Sequence, residues 1–148
     1  MKTSDTRYST HFGVYALIFN AAKDSILLIR KVRGCYTGMY DLPGGAPEPH
    51  ELLEETLTRE VFEETGCYIT ESRQMGAFSA LHPFIETDGL PKTLRHLAAI
   101  YEAEIAGDPL AHVEDGQACV WVPIKDITAQ NSVPLVLLAL DHLNARAA

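Results

Sequence analysis

Residues Glu51 to Thr65 read as a helix whose charge pattern runs against its apolar pattern, and this stretch constrains the fold most tightly. At about 100° per residue, with Leu53 at zero, Leu57 falls at about 40° and Val61 at about 80°, a stripe that must face a core. On the same wheel Glu60 falls at about -20° and Glu64 at about 20°, inside the stripe, while Glu63 at about 280° flanks its edge beside Leu52. A carboxylate set against a core is costly unless paired. Two or three together also repel, so that some would stay protonated near neutral pH. Bound divalent cations resolve both problems, and the i, i+3, i+4 spacing puts Glu60, Glu63 and Glu64 within reach of one cluster of metals. The competing reading is a solvated acidic face with i, i+4 pairs. Glu54 and Glu55 are assigned to such a face, with Glu55 pairing to Arg59. Gly66 stops the helix where a left-handed cap is needed.

The acid is concentrated. Seven of the 20 Asp and Glu residues fall between Glu48 and Glu64, with Arg59 the only permanent cation among them. The formal net charge of -8 disfavours binding to a nucleic-acid backbone, which runs on Lys and Arg. At 148 residues the chain is expected to form a single domain, 1–148, with a real core. The longest apolar run, Val133 to Leu140, is too short to span a bilayer, so no membrane role is expected. Met1 to Arg7 lacks the apolar segment of a secretory signal, and a cytoplasmic location is expected. Cys35, Cys67 and Cys119 are odd in number and far apart, which argues for reduced thiols rather than disulfides or a thiolate zinc site.

Along the chain, Phe12 to Asn20 and Ser25 to Lys31 are rich in β-branched and aromatic residues and read as a hairpin. Asp41 to Gly45 is a tight glycine turn. Ile69 to Ala80 and Lys92 to Ile105 read as strands flanking a loop, Leu81 to Pro91, and Ala118 to Ile124 as another strand. Ser132 is expected to cap a last helix running to about Arg146, with Pro134 in its first turn. Strands, helix, strands, helix is an α+β order that suits an α/β/α sandwich.

The residues Gly45-Ala-Pro-Glu-Pro-His-Glu51, seven more, then Arg59-Glu60-Val61-Phe62-Glu63-Glu64-Thr65-Gly66-Cys67 resemble the Nudix box, G-x5-E-x7-R-E-U-x-E-E-x-G-U, with U a bulky apolar residue. Every fixed position is filled, with Cys67 the one small residue at a bulky place. Leu42-Pro43-Gly44 is similar to the family's lead-in. The resemblance implies a Nudix-type α/β/α sandwich with a mixed central sheet and the box as loop-helix-loop. It implies Glu60, Glu63 and Glu64 as ligands of Mg²⁺ or Mn²⁺, with the Gly45 carbonyl as a further ligand and with Arg59 and Glu51 buttressing the cluster. The implied activity is hydrolysis of a diphosphate linkage in a nucleotide or nucleoside diphosphate derivative, on a small-molecule substrate; a homodimer is left open.

The attacking water needs a carboxylate to take its proton. Glu63 or Glu64 is favoured within the box, and Glu114 is the candidate outside it, against its reading as an exposed loop acid. Arg30, Lys31 and Arg33 either meet a substrate phosphate or are solvated. Tyr36 and Tyr40 either stack on a base or cover the sheet edge. His82, His96 and His112 show no metal spacing and receive no role. Pro83, 16 residues after Cys67, leans faintly towards ADP-ribose, and a nucleoside triphosphate is equally open. Isoprenoid-diphosphate isomerisation is disfavoured by the short chain. The alternative class is a catalytically inactive nucleotide-sensing module, disfavoured because all the glutamates are present.

Overall fold

The computed structural model describes residues 7–111 and 117–147. In chain order the elements are β1 (Arg7–Ile18), β2 (Ser25–Arg30), β3 (Tyr40–Asp41), β4 (Gly44–Gly45), α1 (Leu53–Thr65), β5 (Tyr68–Ile85), β6 (Pro91–Ala106), β7 (Ala118–Pro123), a short 3-10 turn (Ile124–Asp126) and α2 (Pro134–Ala147). The layering follows from β1 and β2. Val14 to Ile18 and Ser25 to Ile29 are buried without alternation, and strands covered on both faces need a layer on each side. Val14, Ala16, Ile18, Leu27 and Ile29 pack with Leu57 and Val61 of α1. Tyr15, Leu17, Ile26 and Leu28 pack with Leu135, Val136 and Ala139 of α2. The result is the expected α/β/α sandwich.

The strands form two sheets, ordered β4-β1-β6-β5 and β3-β2-β7. The first is mixed: β1 runs parallel to β6 from Arg7 opposite Lys92 to Ile18 opposite Ala103, and its other pairings are antiparallel. The expected hairpin of β1 with β2 does not form. One edge of β1 is taken along its length by β6 and the other, at Val14 and Tyr15, by β4. The two strands meet at their shared end, through the Phe19–Ile26 bridge and the Asn20 N–H on the Ser25 carbonyl at 3.1 Å. The turn between them is built on Asn20, whose side-chain oxygen accepts the Asp24 and Ser25 N–H groups, with Lys23 at φ 58°. That turn sends β2 into the second sheet.

The expected loop 81–91 is shorter than predicted, because β5 continues to Ile85 and β6 begins at Pro91. Pro83 sits inside β5, where an edge strand tolerates the missing N–H. Ser132 does not cap α2. Its hydroxyl donates to Asn131 Oδ1 at 2.7 Å, its backbone bridges Tyr40, and the helix begins two residues later. Helix α1 starts at Leu53, not Glu51, and ends as expected on Gly66 in the left-handed region at φ 77°.

Helix α1 and β1 approach each other through β4. Gly44, at φ 153°, is the register partner of Tyr15, and a β-carbon there would overlap the Val14 carbonyl oxygen. Gly44→Ala is therefore expected to destabilise by about 3 kcal/mol or more, since the clash is with backbone that cannot rotate away. Gly38 has a left-handed φ of 84° but open space around it. Gly38→Ala should cost only about 1–2 kcal/mol of backbone strain. Denaturant melts of the two variants check this, and equal losses would rule out the close approach.

Candidate active site

The box is assembled around its loop-to-helix junction. Glu51 lies just before α1, and its carboxylate accepts the Glu48 N–H at 2.8 Å, the Thr56 hydroxyl at 3.1 Å, and Arg59 Nε and Nη2 at 2.7 and 2.8 Å. This forked pairing with Arg59, reinforced by the Glu48 N–H, holds the Glu51 carboxyl down to about 2. Arg59 is pushed further above its ordinary value by the same pairing. The expected Glu55–Arg59 pair is not formed. Glu55 Oε1 instead accepts the Leu52 N–H at 2.8 Å, where an acid serves the open N-terminus of the helix. Glu54 is exposed as expected and accepts the Tyr101 hydroxyl at 3.1 Å.

The helical wheel places the three following glutamates correctly. Leu57 and Val61 are fully buried, and Glu64 lies beside them with 7% exposure. Glu60 is 16% exposed and Glu63 33%. Arg59 Nη1 donates to Glu60 Oε1 at 2.8 Å and reaches Glu63 Oε2 at 3.2 Å. Glu64 turns the other way, and its Oε1 accepts the Gly44 N–H at 2.8 Å. Burial pushes the Glu64 carboxyl up to about 8, against the Gly44 bond and the Lys31 charge, which lower it; Glu60 and Asp41 add to the rise.

Gly45 stands directly over Glu60. A β-carbon at Gly45 would lie 2.7 Å from the Glu60 carboxylate carbon, so only glycine leaves that space open. The Glu60 carboxylate beside it offers oxygen donors, which suit a hard divalent cation. Glu60, Glu63 and Glu64 do not yet converge, because Arg59 holds two of them and Gly44 the third. Among the described residues, the acidic group whose ligand atoms all lie within 4.8 Å is Glu48, His50 and Glu51. Glu51 there is already engaged by Arg59, Thr56 and the Glu48 N–H.

Of the cations at the end of β2, Lys31 is half-buried, and its charge reaches Asp41 and Glu64. Arg30 is drawn away: its Nη2 donates to the Tyr40 hydroxyl at 2.7 Å with the guanidinium over that ring. Arg33 is exposed in the loop that follows. Tyr36 is buried and does not present a stacking face. Glu114 lies outside the described residues. Asp41 is a carboxylate that the sequence reading passed over. It is buried, accepts the Leu42 N–H at 2.7 Å, and is pushed up to about 6 by burial. Its only signal in sequence is an acid between Tyr40 and Leu42, inside a short extended piece.

An acid-lined helix packed against a mixed sheet through a Gly-Gly strand defines this molecule as an α/β/α sandwich with a box-type acidic centre. The NUDIX domain model matches residues 9–139, and the chain belongs to that family. It is 33% identical over 66 residues to a putative 8-oxo-dGTP diphosphatase of Bacillus subtilis (strain 168), covering 45% of this chain and 42% of that protein. It is 29% identical over 97 residues to the nucleoside triphosphatase NudI of Escherichia coli O1:K1 / APEC, covering 64% of this chain and 69% of the relative. Several curated relatives are matched over only 19 to 42% of their own length. Among solved structures, the MutT NUDIX hydrolase from Burkholderia pseudomallei superposes with a TM-score of 0.68 at 25% identity, over 90% of this chain and 98% of that one. No described helix is long and apolar enough to cross a membrane.

Glu64 sets a pH dependence whose sign is fixed. Its carboxyl is higher in the folded chain, about 8, than its ordinary 4.5, so the folded state holds the proton more tightly. The stabilisation is complete below about pH 4.5 and is lost as pH rises through about 8. In EDTA, Glu64→Gln, which keeps an acceptor for the Gly44 N–H, is expected to melt at or above the parent at pH 8 and to flatten the decline between pH 5 and 8. A variant melting several degrees below the parent at pH 8 would show that the charge stabilises the fold.

Proposed function

We propose that the chain, acting as one domain, hydrolyses a diphosphate linkage in a nucleotide, with a nucleoside triphosphate as the first substrate class to test. The observation that carries this reading is the clamp of Arg59 on Glu51, Glu60 and Glu63, with Glu64 buried on the Gly44 N–H. In the reading, Glu60, Glu63, Glu64 and the Gly45 carbonyl hold Mg²⁺ or Mn²⁺. Bound divalent cations supply neutralisation of the diphosphate charge and a more acidic water.

The chain's own residues do the rest. Arg59 and Glu51 fix the phase of α1 against its loop, so that Glu60 and Glu64 face β4 and Glu63 stands at the open edge. A box carboxylate takes the proton of the attacking water, whose oxygen bonds to phosphorus as the bond to the bridging oxygen breaks and the leaving phosphate departs. Glu63, the most exposed of the three, has open access to water, and Glu64 is the second candidate. Glu114 remains a proposed base and further metal ligand outside the box. Lys31 is the proposed phosphate contact nearest the acid cluster, with Arg33 and Arg30 behind it. Similarity to the putative 8-oxo-dGTP diphosphatase of Bacillus and the nucleoside triphosphatase of Escherichia supports the nucleoside triphosphate as first choice. Pro83 lies within β5, and the faint lean towards an ADP-ribose derivative stays the second substrate class to test. The inactive sensing module is the competing class, and turnover separates the two.

Release of phosphate or pyrophosphate from a panel of nucleoside triphosphates and nucleoside diphosphate derivatives is expected with Mg²⁺ or Mn²⁺ and not with EDTA. Glu63→Gln and Glu64→Gln are each expected to lower kcat by roughly two to four orders of magnitude, about 3–5 kcal/mol of barrier. Glu54→Gln and Glu55→Gln should stay within a few-fold of the parent. Full turnover in metal-stripped protein, or equal losses in the two pairs, would sink the reading.

A further inference from the structure

His96 has no part in the reading above, yet it lies 2% exposed in the middle of β6, directly across from His11 of β1 and Ala80 of β5. Both of its ring nitrogens are engaged. Nε2 is 2.8 Å from the Tyr15 hydroxyl and Nδ1 is 3.3 Å from the Tyr36 hydroxyl. Burial, with the nearby His11, Lys31 and His82, holds its pKa down to about 4, so the imidazole is neutral. A neutral imidazole has one N–H and one bare nitrogen. One tyrosine hydroxyl therefore donates to the ring and the other accepts from it. Removing any member leaves a buried polar atom without its partner, which makes the triplet a specific joint rather than loose filling.

The two tyrosines belong to different parts of the molecule. Tyr36 comes from the loop between β2 and β3, which folds down onto the sheet. Its ring lies 4.5 Å from that of His82, whose Nε2 is 3.3 Å from the Cys35 carbonyl. The neck of this loop is closed by the Lys31 N–H on the Met39 carbonyl at 2.9 Å and the Gly38 N–H on the Lys31 carbonyl at 2.8 Å. Tyr15 comes from β1, where it is the register partner of Gly44, the residue that donates to Glu64. Gly13 makes room for it, because a β-carbon there would overlap the Tyr15 ring and hydroxyl. The triplet thus runs from the loop, through the sheet, to the strand beside the acidic box. The Lys31 charge acts on His96 and His11 as well as on Asp41 and Glu64.

We propose that His96 is a positioning residue for substrate binding: by joining Tyr36 to Tyr15 it holds the 31–39 loop, with Lys31 and Arg33, in register with the Gly44–Glu64 contact. The anchoring stands on the geometry alone; the role given to the two cations rests on the nucleotide-hydrolase reading. A phosphate contact carried on a loop that drifts loses affinity, while the box itself, on α1 and β4, keeps its geometry. The signature is a rise in KM with kcat kept.

The test uses the full chain with Tyr36→Phe, His96→Leu and His96→Gln. Tyr36→Phe removes one hydroxyl and keeps the ring, and His96→Gln keeps a donor and an acceptor. Amide hydrogen exchange is measured first, in EDTA without nucleotide. The Gly38 and Met39 amides are expected to exchange roughly ten-fold faster or more in Tyr36→Phe and His96→Leu, and close to the parent in His96→Gln, with the Leu17 and Ile100 amides unchanged. Steady-state hydrolysis of dGTP with Mg²⁺ is measured second. KM is expected to rise roughly five- to twenty-fold in Tyr36→Phe and His96→Leu, with kcat within about two-fold, and to stay close to the parent in His96→Gln. Unchanged exchange in the loop overturns the proposal, as does faster exchange across β1 and β6 in Tyr36→Phe, or a fall in kcat at constant KM. If the parent turns over neither dGTP nor any other nucleotide, the functional reading fails, and the exchange data still decide whether His96 anchors the loop.

Discussion

Arg59 donates to Glu51 through two nitrogens, to Glu60 and Glu63 through a third, and to the Ala46 carbonyl at 3.2 Å, and the geometry of the box follows from that one side chain. Four carboxylates, counting Glu48 at 3.9 Å, share a single guanidinium. Without it their mutual repulsion would splay the loop from the helix. Because Glu51 is also fixed by the Glu48 N–H and Thr56, the guanidinium ties the loop to a definite turn of α1 rather than merely neutralising charge. The phase of the helix is thereby set, and one further turn along it Glu64 meets Gly44. A lysine could supply the charge but not the planar fork that reaches three carboxylates and a carbonyl at once.

Much of this was legible in the sequence because helical periodicity is local. The stripe of Leu53, Leu57 and Val61 and the intrusion of Glu60 and Glu64 follow from 3.6 residues per turn alone, and the structure buries Leu57, Val61 and Glu64 accordingly. Strand partnership is not local. Phe12 to Asn20 and Ser25 to Lys31 look like a hairpin, and the deciding fact, that β6 and β4 occupy both edges of β1, lies about 30 and 85 residues away in the chain. Glu55 was misassigned for a related reason. The i, i+4 rule finds Arg59, but the rule knows nothing of Glu51, which precedes the helix and takes the guanidinium by two bonds. Asp41 and His96 were illegible because burial of a single polar residue leaves no periodic trace.

β1 is where these separate pieces meet. Consecutive residues point to opposite layers, so Val14 packs towards α1 while Tyr15 packs towards α2. The same two residues pair with Gly45 and Gly44. The box loop is therefore held at a point where the two cores are separated only by the thickness of one strand. Any shift of Tyr15 is felt at Gly44 through the backbone ladder, and any shift of Gly44 is felt at Glu64 through a 2.8 Å bond. This adjacency sets the Tyr15–His96 contact on the α2 side and the Glu64–Gly44 contact on the α1 side on two faces of one strand pair.

The two buried polar centres solve opposite problems. At His96 the groups are neutral and each finds a partner, so burial strengthens the bonds and fixes a geometry. At the box, like charges are gathered beside a core, and Glu64 and Asp41 both resist ionisation there. No buried side-chain nitrogen or oxygen among the described residues lacks a hydrogen-bond partner, so the box is not a packing fault. Its excess is one of charge, not of unpaired atoms. A fold selected only for stability would replace Glu64 with an apolar residue of similar size, as large buried ionic groups commonly can be. That the carboxylates remain, with glycine kept at 44 and 45 to give them room, is what a site held at a cost in stability looks like.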